Sequence, residues 1–155
     1  MPPCSPAMIH ARHRSALVAA LLCFGALACQ PAPPLVLQVS GTDYAFAVPP
    51  AVPAGPVTIR FANHGKVPHE MALGRLRVGM TADSLMTRLA QGRDPGEVTD
   101  AVVGILIVEP GQSSIGALQT EILSGRTYVM ICQFRDADSL PPHIAMGMQA
   151  SFTVD

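Results

Sequence analysis

From residue 35 onward the chain consists of short apolar runs of period two, each stopped within a few residues by proline, glycine or a polar pair. No other feature constrains the fold as much, because a period of two lines one face of a strand, whereas a helix repeats every 3.6 residues or so. Leu35-Val36-Leu37-Gln38-Val39 ends at Ser40-Gly41, and Tyr44, Phe46 and Val48 alternate up to Pro49-Pro50. Val57, Ile59 and Phe61 alternate after a Gly55-Pro56 turn. His69, Met71 and Leu73 alternate with Glu70, Ala72 and Gly74. Runs at 105–108, 115–122 and 127–133 follow, and Met148, Ala150, Phe152 and Val154 alternate to the end. About eight short strands with frequent turns predict an all-β sandwich or barrel. The 15 prolines and 13 glycines argue against a helical bundle.

One segment departs from this pattern. Ala82, Leu85, Met86 and Leu89 fall at the i, i+3, i+4 and i+7 spacing of a helix face. Thr81 is placed to cap its start and Gly92 to end it. A single helix of about ten residues is therefore expected over the sandwich, followed by a loop through Arg93-Asp94-Pro95-Gly96.

Composition narrows the function classes. The 155 residues allow one domain with a real core. Charged residues are only 14% of the chain, too few for disorder driven by charge repulsion. The formal net charge of −1 leaves no basic footprint for nucleic acid.

The first 28 residues read as an export signal. Arg12 and Arg14 form a basic start, residues 15–27 an uncharged apolar stretch, and Ala26-Leu27-Ala28 a small-residue cleavage site. The stretch is too short to span a membrane. Cys29 follows at once, and small residues before a cysteine resemble the bacterial lipobox, in which that cysteine is lipidated. The alternative is an ordinary signal peptide that happens to precede a cysteine. Residues 29–34, rich in proline, read as a tether to a domain over residues 35–155. The expected location is exported and bacterial, either periplasmic or at the outer membrane. Without Arg12 and Arg14 the remainder has 8 basic and 11 acidic residues, a formal charge of −3.

The cysteines then sort themselves. Cys4 and Cys23 leave with the signal, Cys29 is terminal, and Cys132 alone remains inside the domain. A lone thiol in an oxidising compartment needs burial or a bound partner. Tyr128-Val129-Met130-Ile131-Cys132 is apolar on both faces, as a buried central strand would be. Period two turns His69 inward with Met71 and Leu73, and Met148 inward with Phe152 and Val154. His143 lies in the connection between the last two strands. Two imidazoles, a thiolate and a thioether can therefore meet at one end of the sandwich. That donor set suits a mononuclear type 1 copper site.

At these residues the chain resembles the cupredoxin (plastocyanin- and azurin-like) family. The first stretch is Asn63-His64-Gly65-Lys66-Val67-Pro68-His69-Glu70-Met71-Ala72-Leu73. The second runs from Gly125-Arg126-Thr127-Tyr128 to Cys132, then through ten residues to His143 and on to Gly147-Met148. The resemblance implies a Greek-key β-sandwich, with His69, Cys132 and His143 as strong ligands and Met148 as the axial one. It also implies that the chain is an electron carrier and no enzyme, exchanging electrons with a redox protein along the apolar edge around His143. Three features differ from the smallest members: the long Cys132–His143 loop, Glu70 where asparagine often stands, and the insertion at 80–103. Taken singly each ligand has a plainer reading: a structural histidine, a small buried hydrophobe, a loop residue, ordinary core. Met146 is the nearest rival to Met148, and His64, in a glycine turn, is expected to be exposed and unbound. Arg135, Asp136 and Asp138 read as a solvated face. A copper-handling or storage protein without electron transfer, and a metal-free interaction domain, stand as alternatives.

Overall fold

The computed structural model describes residues 33–155. The export segment, Cys29 and most of the tether lie outside the described residues. The strands are β1 (Leu35–Thr42), β2 (Ala45–Ala47), β3 (Gly55–Asn63), β4 (His69–Leu76), β5 (Thr99–Val108), β6 (Leu118–Ile122), β7 (Thr127–Ile131) and β8 (Gln149–Thr153). Helix α1 (Ala82–Ala90) sits between β4 and β5. One sheet has the order β2-β1-β3-β6 and the other β5-β4-β7-β8. All neighbours are antiparallel except β1 and β3, which run parallel from Leu35↔Val57 to Gly41↔Asn63.

The alternation seen in the sequence is the alternation of burial. Leu37 and Val39 of β1, Ile59 and Phe61 of β3, Met71 and Leu73 of β4, and Tyr128 and Met130 of β7 fill the space between the sheets. The fully buried Tyr128 stacks on Phe152, with ring centroids 5.3 Å apart, and its hydroxyl accepts the Leu123 amide at 3.0 Å. Val129 and Ile131 point the other way and would face water without α1. Leu85 of the helix, with Leu76 and Val98, closes over them as a second small core. This is why β7 carries no polar face. The helix forms as expected: Thr81 accepts the Ser84 amide, and Ser84 reciprocates with the Thr81 amide in a capping box.

Several strand ends shift by a few residues, and two boundaries differ more from the sequence reading. β5 begins at Thr99 rather than at 105, so the last part of the expected insertion is strand. Arg75 and Arg126 hold its start through Asp100. The run at 115–122 is strand only from Leu118, and Ile115 is fully exposed. Here Gln112 and Ser114 bond back to the end of β3, through Asn63 N–H to Gln112 O at 2.8 Å and Ser114 N–H to Phe61 O at 2.7 Å. The chain bends away after them, so apolar character at Ile115 does not translate into pairing.

Leu85 is the anchor of the second core. Leu85→Ala is expected to lower unfolding free energy by about 2–5 kcal/mol, read from the urea midpoint. A change within about 0.5 kcal/mol would mean that the helix does not seal the outer face of β7.

Candidate metal centre

β4 and β7 are neighbours in one sheet, paired from Ala72↔Ile131 to Arg75↔Tyr128. His69 is the first residue of β4, and Cys132 follows directly on the last residue of β7. The pairing thus sets both at the same end of the sandwich. His143 opens a single 3-10 turn (His143–Met146), and Met148 immediately precedes β8. All four side chains are buried.

The ten-residue Cys132–His143 loop closes tightly. The His143 amide donates to Phe134 O and the Ile144 amide to Cys132 O, both at 2.8 Å. The Met148 amide donates to His143 O at 3.0 Å, and the Cys132 amide to Met148 O at 3.2 Å. Gly147, at φ 106°, makes the left-handed turn that carries the chain from His143 back into β8. The methyl end of Met148 lies against Gly41, where an added Cβ would sit 3.3 Å from it.

His69 Nδ1 and His143 Nδ1 are 3.1 Å apart, and Cys132 Sγ lies 4.0 Å from the first and 3.4 Å from the second. The outer nitrogens are already committed. His69 Nε2 lies 2.9 Å from Asp43 Oδ1, and His143 Nε2 lies 2.9 Å from Asp136 Oδ1. An ionised carboxylate can only accept, so both Nε2 atoms donate and both Nδ1 atoms are left as lone pairs. Two lone pairs and a sulfur then face one another in a buried space, an arrangement that calls for a cation. The size also fits. The point equidistant from the three atoms is about 2.1 Å from each and inside their triangle, against metal bonds of about 2.0 Å to imidazole and 2.3 Å to thiolate.

The surroundings prepare these donors. Burial lowers the pKa of His69, which favours the neutral, ligating ring. Burial pushes the Cys132 thiol up, and the Glu70 and Phe134 amides offset part of this by bonding to sulfur. Burial opposes the Asp43 carboxylate, but the Lys66 amide and His69 outweigh it and hold its pKa below the usual value. The Asp136 pKa is held down first by the Tyr44 hydroxyl and then by His143.

His69, Cys132 and His143 are thus brought within bonding distance of one point, and the buried Met148 is tied to the same end by backbone bonds to His143 and Cys132. His64 is exposed, as expected, and Met146 is 37% exposed, pointing away from the interior that Met148 occupies. Glu70 does not face the centre. Its carboxylate accepts the Gln133 amide at 2.7 Å and so steadies the chain just beyond Cys132. Asp136 is exposed, as read, but it is more than a solvated charge: its carboxylate braces His143. The His143 ring itself is hidden from the surface. It is 1% exposed, and the Tyr44 ring lies over it with centroids 4.7 Å apart.

Asp43 and Tyr44 carry no motif, because their roles depend on where the β1–β2 turn lands. Gly65 and Asn63 serve the same contact. Asn63 is fully buried; its amide donates to Val67 O at 2.9 Å and Val108 O at 3.0 Å, and its oxygen accepts the Gly65 amide at 2.8 Å. This shapes a turn in which the Lys66 amide holds Asp43 at 2.9 Å.

The sheet order, the parallel β1–β3 pair and the buried triangle at one end define a cupredoxin-type sandwich. Solved structures with this fold include auracyanins. The dithionite-reduced auracyanin of the photosynthetic bacterium Roseiflexus castenholzii is 18% identical at a TM-score of 0.51, covering 81% of this chain and 99% of its own. Auracyanin B is 21% identical at 0.51, with 81% and 92% covered. Auracyanin A, a "blue" copper protein of the green thermophilic photosynthetic bacterium Chloroflexus aurantiacus, is 21% identical at 0.50, with 79% and 100% covered. No protein-family model and no curated protein matches the chain.

A Cβ added at Gly65 would sit 2.1 Å from Asp43 Oδ1 and 2.8 Å from His69 Nε2. Gly65→Ala is therefore expected to part Asp43 from His69 and to cost about 1–3 kcal/mol. In nitrogen-15 NMR of the metal-free protein the His69 Nε2 proton should lose its protection from exchange, while that of His143 keeps it.

Proposed function

We propose that the chain is an exported bacterial electron carrier that holds one mononuclear type 1 copper on His69, Cys132, His143 and Met148. The observation that carries this reading is the buried triangle of two imidazole lone pairs and a thiol, sized for one first-row metal ion. Two imidazoles, one thiolate and a weak thioether suit copper in both oxidation states, whereas zinc favours a fourth histidine, cysteine or carboxylate. Copper supplies the one-electron chemistry.

The chain's own residues do the rest. Cys132 gives up its proton to bind, so uptake releases a proton. His69 and Cys132 are fixed by adjacent strands and His143 by the closed loop, so the donors barely move between oxidation states and reorganisation stays small. Met71 and Phe61 are fully buried and help keep water out of the interior behind the donors. Arg12, Arg14 and the apolar stretch before Cys29 support export, and Cys29 is the candidate lipid anchor. A redox protein is the expected partner, with Met146, exposed in the same turn as His143, as part of the apolar contact. One observation favours a copper-handling protein without fast electron exchange: the nearly complete burial of His143.

Copper(II) added to the protein is expected to give one equivalent of bound metal and an intense visible thiolate-to-copper band. Cys132→Ser should abolish the band. Absence of both the band and stoichiometric copper would falsify the proposal, and a band with electron exchange slower than turnover of any redox partner would favour the storage reading. Cys29→Ala should release the protein from membranes if Cys29 is lipidated.

A further inference from the structure

Both candidate ligand histidines end on a carboxylate, and both carboxylates are held by one short turn. Asp43 meets His69 Nε2 at 2.9 Å and is itself fixed by the Lys66 amide at 2.9 Å. Asp136 meets His143 Nε2 at 2.9 Å and accepts the hydroxyl hydrogen bond of Tyr44, the residue next to Asp43. A carboxylate on the far nitrogen of a ligating histidine fixes ring orientation and tautomer and raises the basicity of the near nitrogen. Two of them add two negative charges to the one brought by the thiolate.

We propose that Asp43 and Asp136 are positioning residues that lock both imidazoles as Nε2–H tautomers aimed at the centre and bias it toward a dication over a monocation. This rests on the copper reading for its redox consequence. A centre with a thiolate and two nearby carboxylates carries three negative charges. Its net charge is −1 with copper(II) and −2 with copper(I), so each carboxylate stabilises the oxidised ion more than the reduced one. The carrier is thereby a reducing one, fitted to give electrons to acceptors of higher potential.

Asp43→Asn and Asp136→Asn keep an accepting oxygen in place and remove the charge. Each is expected to weaken copper(II) binding by about 10–100-fold and copper(I) binding much less. The midpoint potential then rises by about 59 mV for each tenfold change in their ratio. Asp138→Asn, in the same loop but exposed and bonded to neither histidine, should change nothing. Unchanged potentials in both Asn variants, or an equal shift in Asp138→Asn, would overturn the proposal.

The bracing itself is read in metal-free protein by nitrogen-15 NMR. The wild type is expected to show both histidines as Nε2–H tautomers, with Asp43→Ala freeing His69 alone and Asp136→Ala freeing His143 alone. Nδ1–H tautomers in the wild type would overturn the bracing. Intact tautomers in a protein that takes up no copper would sink the copper reading. Cobalt(II) uptake by the wild type and the two Asn variants would then decide the preference for a dication, and equal uptake would overturn it.

Discussion

β4 and β7 lie side by side in the middle of the second sheet, and their register carries the site. Ala72 opposite Ile131 sets Cys132 beside the start of β4, close enough for the Glu70 amide to reach its sulfur at 3.4 Å. A slip of one residue would turn either Met71 and Leu73 or Tyr128 and Met130 out of the core, so the hydrophobic pattern that folds the sheet also fixes the candidate donors. The outer face of β7 must be covered for that register to hold, and α1 covers it. The inserted helix is therefore part of what keeps Cys132 in place, though it lies on the far side of the strand.

The second constraint is closure of the long loop. A connection of this length between two ligands would normally leave the second one free to wander, since loop closure costs entropy and returns little by itself. Here four backbone hydrogen bonds tie residues 132–148 into one knot around His143. Asp136 adds a side-chain tie from inside the loop. What the length provides is reach: it lets Asp136 fold back over the ring that the same loop delivers.

Much of this was legible in the sequence. Period two gave the strands, and the helix spacing with Thr81 as cap gave α1 to within two residues. The lone Cys132, His69 on an inward face and the His143–Met148 interval pointed to the centre. Less legible were features that depend on contacts far apart in the chain. Ile115 looks like strand because apolar character does not report whether a backbone neighbour exists. Asp136 reads as a surface charge because its histidine lies seven residues away through a fold-back, and Asp43 because its histidine lies 26 residues away in the other sheet. An exposed-looking aspartate next to a turn has no local signature for such a task.

The β1–β2 turn leaves only Asp43 and Tyr44 between paired Thr42 and Ala45. One of these residues serves each histidine, so the two candidate ligands share a single support from the opposite sheet. Their spacing is then a property of the turn's length. A residue added to it would move both supports at once, and a replacement for the Cys132–His143 loop would have to bring its own acid to meet Tyr44. Variation in this architecture can accumulate at the far end of the sandwich, but the turn and the loop are bound to change length only together.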